Sequence, residues 1–418
     1  MREAASDPET TAAVARILDA VRREGRTAVA RLTREHDRVD VPPHGMRLSA
    51  EVLARAHAQV AREQPALLTA LREMAARIRR FAEAQRQALA DVELALPGGG
   101  TVGERWVPIE RVGVYVPGGR AFYPSTLAMT VIPAQVAGAT RIVGVTPPRA
   151  QPTLEGAFGI DPLVLATAQE LGLDELYACG GAQGVGFLAY DVPQVDLVAG
   201  PGNRFVAEAK RQLIGQCGID SVAGPTEVLI LADASADPAW LAEDLLAQAE
   251  HDPDAAAVLI ADDRALLDAV AARLAERVAA SPRKEILAQS LARHGRLFRA
   301  NRDDAIAFAQ AWAPEHLELV VREPAEWVPR LTNAGALFVG AWSAEAFGDY
   351  GAGPNHVLPT ARTARFASPL GVASLMKRQS VLRLAEADAR ALADGVGTLA
   401  DAERLPHHAE SARLRGRR

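Results

Sequence analysis

Val112-Gly-Val-Tyr-Val116 is a short β-rich run, and a stretch with helical spacing, Thr126–Ala137, follows it. The pairing recurs downstream: Ile142–Val145 with Pro162–Leu171, Leu176–Cys179 with Gln183–Tyr190, and Leu197–Ala199 with Arg204–Ile214. Strand-like runs alternating with helices predict βαβ units and a doubly wound parallel sheet. A second series repeats the rhythm at Val228–Leu231, Ala257–Ile260, Gly295–Phe298, Leu317–Val321 and Ala336–Val339. The expected fold class is therefore α/β, with two Rossmann-like doubly wound domains. An Ala-, Arg- and Glu-rich helical region precedes them from about residue 8 to 92, interrupted at Pro42, Pro43 and Gly45. After Pro369 the chain reads as mostly helical, with pieces at Glu386–Ala393 and Thr398–Leu414, the latter broken at Pro406. That appendage is too small for a core of its own and has to dock on something. The expected division is 1–114 as a helical region leading into the first α/β domain, 115–226, 227–370 as a second α/β domain, and 371–418 as a C-terminal helical segment.

A chain of 418 residues, about half of them hydrophobic, exceeds what one core supports and fits several packed units. A net charge of −6 with scattered Lys and Arg argues against a nucleic-acid partner; the basic run Arg413–Arg418 reads as a solvated terminus. Two cysteines, Cys179 and Cys217, exclude a disulfide framework and a thiolate zinc site and fit a reducing compartment. With no secretory signal and no apolar run long enough to span a bilayer, a cytoplasmic protein without membrane contact is expected.

The chemistry-bearing residues are spread along the chain. Gly348-Asp-Tyr-Gly-Ala-Gly-Pro-Asn-His356 places Asp349 and His356 in a glycine-rich stretch that is expected to be a turn and not a regular helix. Ordering so much glycine costs entropy, which is easier to explain if the loop carries function. Gln248 and His251 stand three residues apart on the helix expected after Pro238, so both can grip one ion; alternatively His251 satisfies the helix's last carbonyls. Glu315-His316 just precedes a strand, where a general base can be held, and His407-His408 reads by itself as surface. Imidazole, carboxylate and carboxamide groups from remote segments suit a divalent metal such as zinc. Glycine-rich turns at Pro117–Gly119, Gly180–Gln183 and Gly200–Asn203 end strands of the first series, where glycine permits close backbone approach to a ligand.

Six collinear strings resemble the histidinol dehydrogenases over nearly the whole chain: Arg111–Gly119, Gly200–Lys210, Ala223–Leu229, Asp244–His251, Ala313–Glu318 and Gly348–Thr360. The resemblance implies zinc held by Gln248, His251, Asp349 and His408, the last supplied by the partner subunit of a homodimer. It implies NAD contacts from Tyr115, Gln183 and Asn203 in a NAD-binding first α/β domain. Substrate contacts are implied from Thr226, Gln248, His251, His316, Asp349, His356, Glu403 and His408. The implied reaction is the four-electron oxidation of L-histidinol to L-histidine with two NAD reduced in turn, His316 acting as general base and Glu315 activating water. Thr226 stands where the family often has Ser, Gly184 and Gly186 replace small apolar residues, and the 183–203 segment is shorter than usual. Dehydrogenation of another amino alcohol or polar diol, and zinc-dependent hydrolysis, are the alternative activities.

Overall fold

A computed structural model describes residues 7–118, 123–191 and 194–417, so Gly119 of the first glycine turn lies outside the described residues. The chain opens with helices α1 (Pro8–Glu24), α2 (Arg26–Asp37), α3 (Ala50–Glu63) and α4 (Pro65–Ala88). Asp7 and Ser49 start α1 and α3 by accepting first-turn N–H bonds, and Pro8 and Pro65 occupy first positions where no donor is needed. Strands β1 (Val92–Ala95) and β2 (Thr101–Pro108) follow.

The first α/β unit runs β3 (Arg111–Tyr115), α5 (Pro124–Ala137), β4 (Arg141–Thr146), α6 (Pro162–Glu170), β5 (Leu176–Ala178), α7 (Gly181–Tyr190), β6 (Leu197–Ala199), α8 (Arg204–Leu213) and β7 (Gly218–Ile219). Its sheet has the parallel order β5-β4-β3-β6-β7. The N-terminal helices are part of this unit, since Leu18, Val29, Leu53 and Met74 share one buried core with Val112, Val114, Leu165 and Phe187. Gly186 explains how α1 fits: a Cβ there would come within 3.1 Å of Leu18, so the glycine lets α7 and α1 lie close.

The second unit runs β8 (Glu227–Ala232), α9 (Pro238–Ala249), β9 (Ala256–Ala261), α10 (Arg264–Ala280), α11 (Lys284–His294), β10 (Arg296–Arg299), α12 (Arg302–Trp312), β11 (His316–Val320), β12 (Ala336–Val339) and α13 (Glu345–Tyr350). Its parallel order is β10-β9-β8-β11-β12. Alternation along β8 feeds two cores: Val228 and Ile230 pack with α9 and α10, while Leu229 and Leu231 face Ala305 and Ile306 of α12. Both faces are covered, which is why these strands read as continuous apolar runs.

The chain ends with β13 (Met376–Arg383), α14 (Glu386–Ala402) and α15 (Pro406–Gly416). The mostly helical reading after Pro369 thus missed a strand: β13 pairs antiparallel with β2 in a separate β1-β2-β13 sheet. Almost all of β13 is exposed, so Lys377-Arg-Gln-Ser380 shows no buried alternation. Asp388, at the start of α14, accepts the N–H groups of Gly98 and Gly100 at 2.6 and 2.7 Å and ties the β1–β2 turn to the C-terminal helices.

Two expected boundaries move. The division at 114/115 falls inside β3, and Val357 and Leu370 pack into the first core although the second unit was expected to extend to 370. The Gly348–His356 stretch is also not turn throughout, because Gly348, Asp349 and Tyr350 complete α13. A Cβ at Gly348 would come within 2.6 Å of the Phe338 ring, so this glycine serves close packing of α13 on β12. Among the described residues no helix is long and apolar enough to cross a membrane.

Candidate active site

The catalytic candidates gather on the amino edge of the second sheet. Thr226 precedes β8, Glu315 precedes β11, His316 is the first residue of β11, and Gln248 and His251 stand at the end of α9 before β9. The first unit presents the opposite, carboxyl edge, with Tyr115 ending β3 and Gly181 opening α7 after β5. The two edges meet across the 353–356 loop. Asn355 donates its amide N–H to the Met129 carbonyl at 2.6 Å, and His356 Nε2 lies 3.4 Å from Thr126 Oγ1. Ligands in open α/β sheets lie beyond carboxyl ends; of the two sheets only the first turns that edge toward the loop.

His316 is 4% exposed. Its Nδ1 lies 3.2 Å from the Glu227 carbonyl, which fixes that nitrogen as donor and leaves Nε2 with its lone pair. Nε2 is buried and has no hydrogen-bond partner among the described residues. Burial also holds the His316 pKa below its ordinary value, so the ring is a neutral base whose Nε2 lone pair is not taken up by any described residue. Glu315 accepts bonds from the Thr226 hydroxyl at 2.6 Å and the Glu227 N–H at 3.0 Å. Even so, burial pushes its pKa up to about 8. Glu227 is itself held by the Trp312 indole N–H at 3.1 Å and the Ala361 N–H at 3.2 Å.

Donor atoms of His251, Glu345 and Asp349 all lie within 4.8 Å of one another. The buried Gln248 amide bridges Thr226 Oγ1, at 2.7 Å, and the Glu345 carboxylate, at 2.8 and 2.9 Å. Glu345 went unnoticed in the sequence, although it stands four residues before Asp349 and shares its helix face once 345–350 is helical. Burial, then the charge of Asp349, raises the Glu345 pKa well above the carboxylate range. Burial lowers the pKa values of His251 and His356, and His356 Nδ1 lies 3.2 Å from the Asp349 carbonyl. A neutral imidazole among crowded carboxylates is a donor set that a cation would relieve, and mixed nitrogen and oxygen ligation fits zinc.

Tyr115 accepts the Gly181 N–H on its hydroxyl at 3.0 Å, and the buried Gln183 donates to Asp37 at 3.3 Å. Asn203 caps α8, accepting from Phe205 and Val206 N–H. Gly200 has φ +116°, and a Cβ there would strike the Tyr115 carbonyl. Beneath this loop the buried Lys210 pairs with Asp220 and donates to the Gly200 carbonyl at 3.0 Å. Glu403 and His408, at the end of α14 and on α15, are exposed, and no described hydrogen bond or ion pair joins them to the site within one chain.

The family model for histidinol dehydrogenase matches residues 1–416. The histidinol dehydrogenase of Aromatoleum aromaticum is 46% identical, covering 99% of this chain and 93% of its own. That of Moorella thermoacetica is 45% identical over 97% and 94%. The crystal structure of the Elizabethkingia anophelis histidinol dehydrogenase superposes with a TM-score of 0.90 at 30% identity, covering 99% of this chain and 93% of that one. The chain belongs to the histidinol dehydrogenase family.

Proposed function

We propose that the chain oxidises L-histidinol to L-histidine through an enzyme-held L-histidinaldehyde, reducing two NAD in turn, in histidine biosynthesis in the cytoplasm. The observation that carries this reading is the pair Glu315-His316: a neutral imidazole nitrogen with no partner among the described residues, beside a carboxyl group whose pKa burial pushes up to about 8. When bound, zinc supplies a template for the amine and imidazole of the substrate, and NAD supplies the hydride acceptor. His251 and Asp349, with Gln248 and the newly identified Glu345, would hold the ion. His316 Nε2 takes the alcohol proton in the first oxidation and the proton of the hydrated aldehyde in the second. Glu315 deprotonates the water that hydrates the aldehyde, while Thr226 fixes its orientation. His356, wedged between Asp349 and Thr126, closes the site toward the first unit, where Tyr115, Gln183 and Asn203 would contact NAD.

Glu403 and His408 fit this scheme if they serve a partner's site in a homodimer. Leu392, Leu399 and Leu414 of the C-terminal helices and Val92, Leu94 and Leu382 of the three-stranded sheet are exposed. An apolar surface of that kind on so small an appendage marks an interaction face.

Dialysis against a strong chelator should abolish turnover and zinc should restore it. His251→Ala should weaken zinc binding at least about tenfold while circular dichroism stays parental, since loop and helix-end ligands add little to the α/β cores. Full activity in a metal-free preparation would remove the ion from the reading.

The pH dependence has a definite sign. Glu315 must be ionised to act as a base, and burial raises its pKa to about 8, so oxidation of supplied histidinaldehyde should rise as pH climbs toward that value and level off above it. A bound cation shifts this limb to lower pH without reversing it. Glu315→Gln should remove the limb. A parental rate that falls over the same range would contradict the assignment.

A further inference from the structure

We propose that the buried Lys210–Asp220 ion pair is a positioning device for the cofactor: it pins Gly200 at the switch point of the first sheet and so sets the 200–203 loop that carries Asn203. The inference rests on the NAD reading given above. In the order β5-β4-β3-β6-β7 the chain crosses from one side of β3 to the other, so the crevice beyond the carboxyl ends of β3 and β6 is where an open α/β sheet takes a ligand. The register pairs Val114 with Ala199, which puts Tyr115 and Gly200 side by side at that crevice. Bare backbone flanks it on both strands. A Cβ on Gly118, after β3, would come within 2.6 Å of the Pro147 side chain, and one on Gly200, after β6, would strike the Tyr115 carbonyl. A dinucleotide, which needs close main-chain approach, fits such an edge.

Gly200 turns away from β6 with φ +116°, and its two polar groups are held by side chains. Asp220 accepts the Gly200 N–H at 2.7 Å and the Ser221 N–H at 2.6 Å; Lys210 donates to the Gly200 carbonyl at 3.0 Å and pairs with Asp220. The two charged side chains are 1% and 2% exposed. Burying such a pair costs desolvation, and packed apolar residues would stabilise the fold as well or better. What apolar residues cannot do is satisfy both the N–H and the C=O of a buried turn. Lys210 also lies on α8, the helix that Asn203 caps, so the pair ties the two ends of the loop together. Asn203 Oδ1 is committed to the Phe205 and Val206 N–H groups, which leaves its exposed NH₂ to donate to a ligand.

The test is NADH binding, read by its fluorescence, to zinc-loaded protein saturated with L-histidine. The variant is Lys210→Met with Asp220→Asn, which leaves no buried charge unpaired and keeps an acceptor for the Gly200 N–H but no donor for its carbonyl. NADH should bind about ten- to a hundredfold more weakly, the size of one lost charge-assisted hydrogen bond, while L-histidine affinity stays within about twofold. In turnover the KM for NAD should rise with kcat within about threefold of the parent. Leu165→Ala, which opens the first core on α6, should lower the melting temperature and leave NADH affinity alone. NADH affinity of the double variant within about twofold of the parent would overturn the proposal. So would an equal loss of L-histidine affinity, or Leu165→Ala weakening NADH as much, since either would make the effect one of general stability. If the double variant does not fold, Lys210→Gln with Asp220→Asn replaces it under the same criteria, because the shorter amide stops short of the Gly200 carbonyl. Parental protein that binds no NADH would instead refute the NAD reading itself.

Discussion

Replacing His316 with Ala should slow alcohol oxidation and aldehyde oxidation alike, by about 10²–10⁴-fold, the range of a lost general base. The ring is the only group in the site whose free nitrogen is buried, neutral and without a partner among the described residues, so no neighbour is placed to take over its proton. Glu315→Gln should behave differently. Its carbonyl can still accept from Thr226 and the Glu227 N–H, so the local structure survives. The first oxidation should then stay within several-fold of the parental rate while the hydration-dependent half falls by a similar two to four orders of magnitude. Supplied histidinaldehyde separates the two steps. Parental oxidation of that aldehyde by Glu315→Gln would take water activation away from the carboxylate.

The second large effect concerns assembly. His408→Ala and His316→Ala homodimers should each be inactive, yet mixing them after denaturation and refolding should restore activity. If the site on each core borrows His408 from its partner, a mixed dimer holds one site with both residues intact and one with neither. Random pairing makes about half the dimers mixed, so roughly a quarter of parental activity should return. The exposed positions of Glu403 and His408, on helices whose own apolar residues face solvent, are what motivates the exchange. No recovery, with mixed dimers present, would mean that His408 serves its own chain.

Both parallel sheets were legible because strands such as Glu227–Ala232 and Ala256–Ala261 are buried on both faces and announce themselves as apolar runs between helices. β13 gave no such signal, since its sheet leaves Lys377, Arg378 and Gln379 in solvent. α13 was hidden by its brevity and by Gly348, a residue that reads as a turn until Phe338 is seen beside it. That misreading also concealed Glu345, because its kinship with Asp349 exists only at helical spacing. Motif order supplied the identities of Gln248, His251, Glu315 and His316, but no local pattern could show that they meet on an amino edge. Their meeting place follows from how the two sheets face each other across Asn355 and His356. The supporting contacts of Glu227 and Glu318 were equally invisible, since each joins residues remote in sequence.

The central claim is that one site performs both oxidations without releasing the aldehyde. Purified protein given L-histidinol and excess NAD should yield NADH and histidine in a ratio of two to one, with no free histidinaldehyde trapped by an added carbonyl reagent. A ratio of one, or an aldehyde recovered in proportion to NADH, would contradict it.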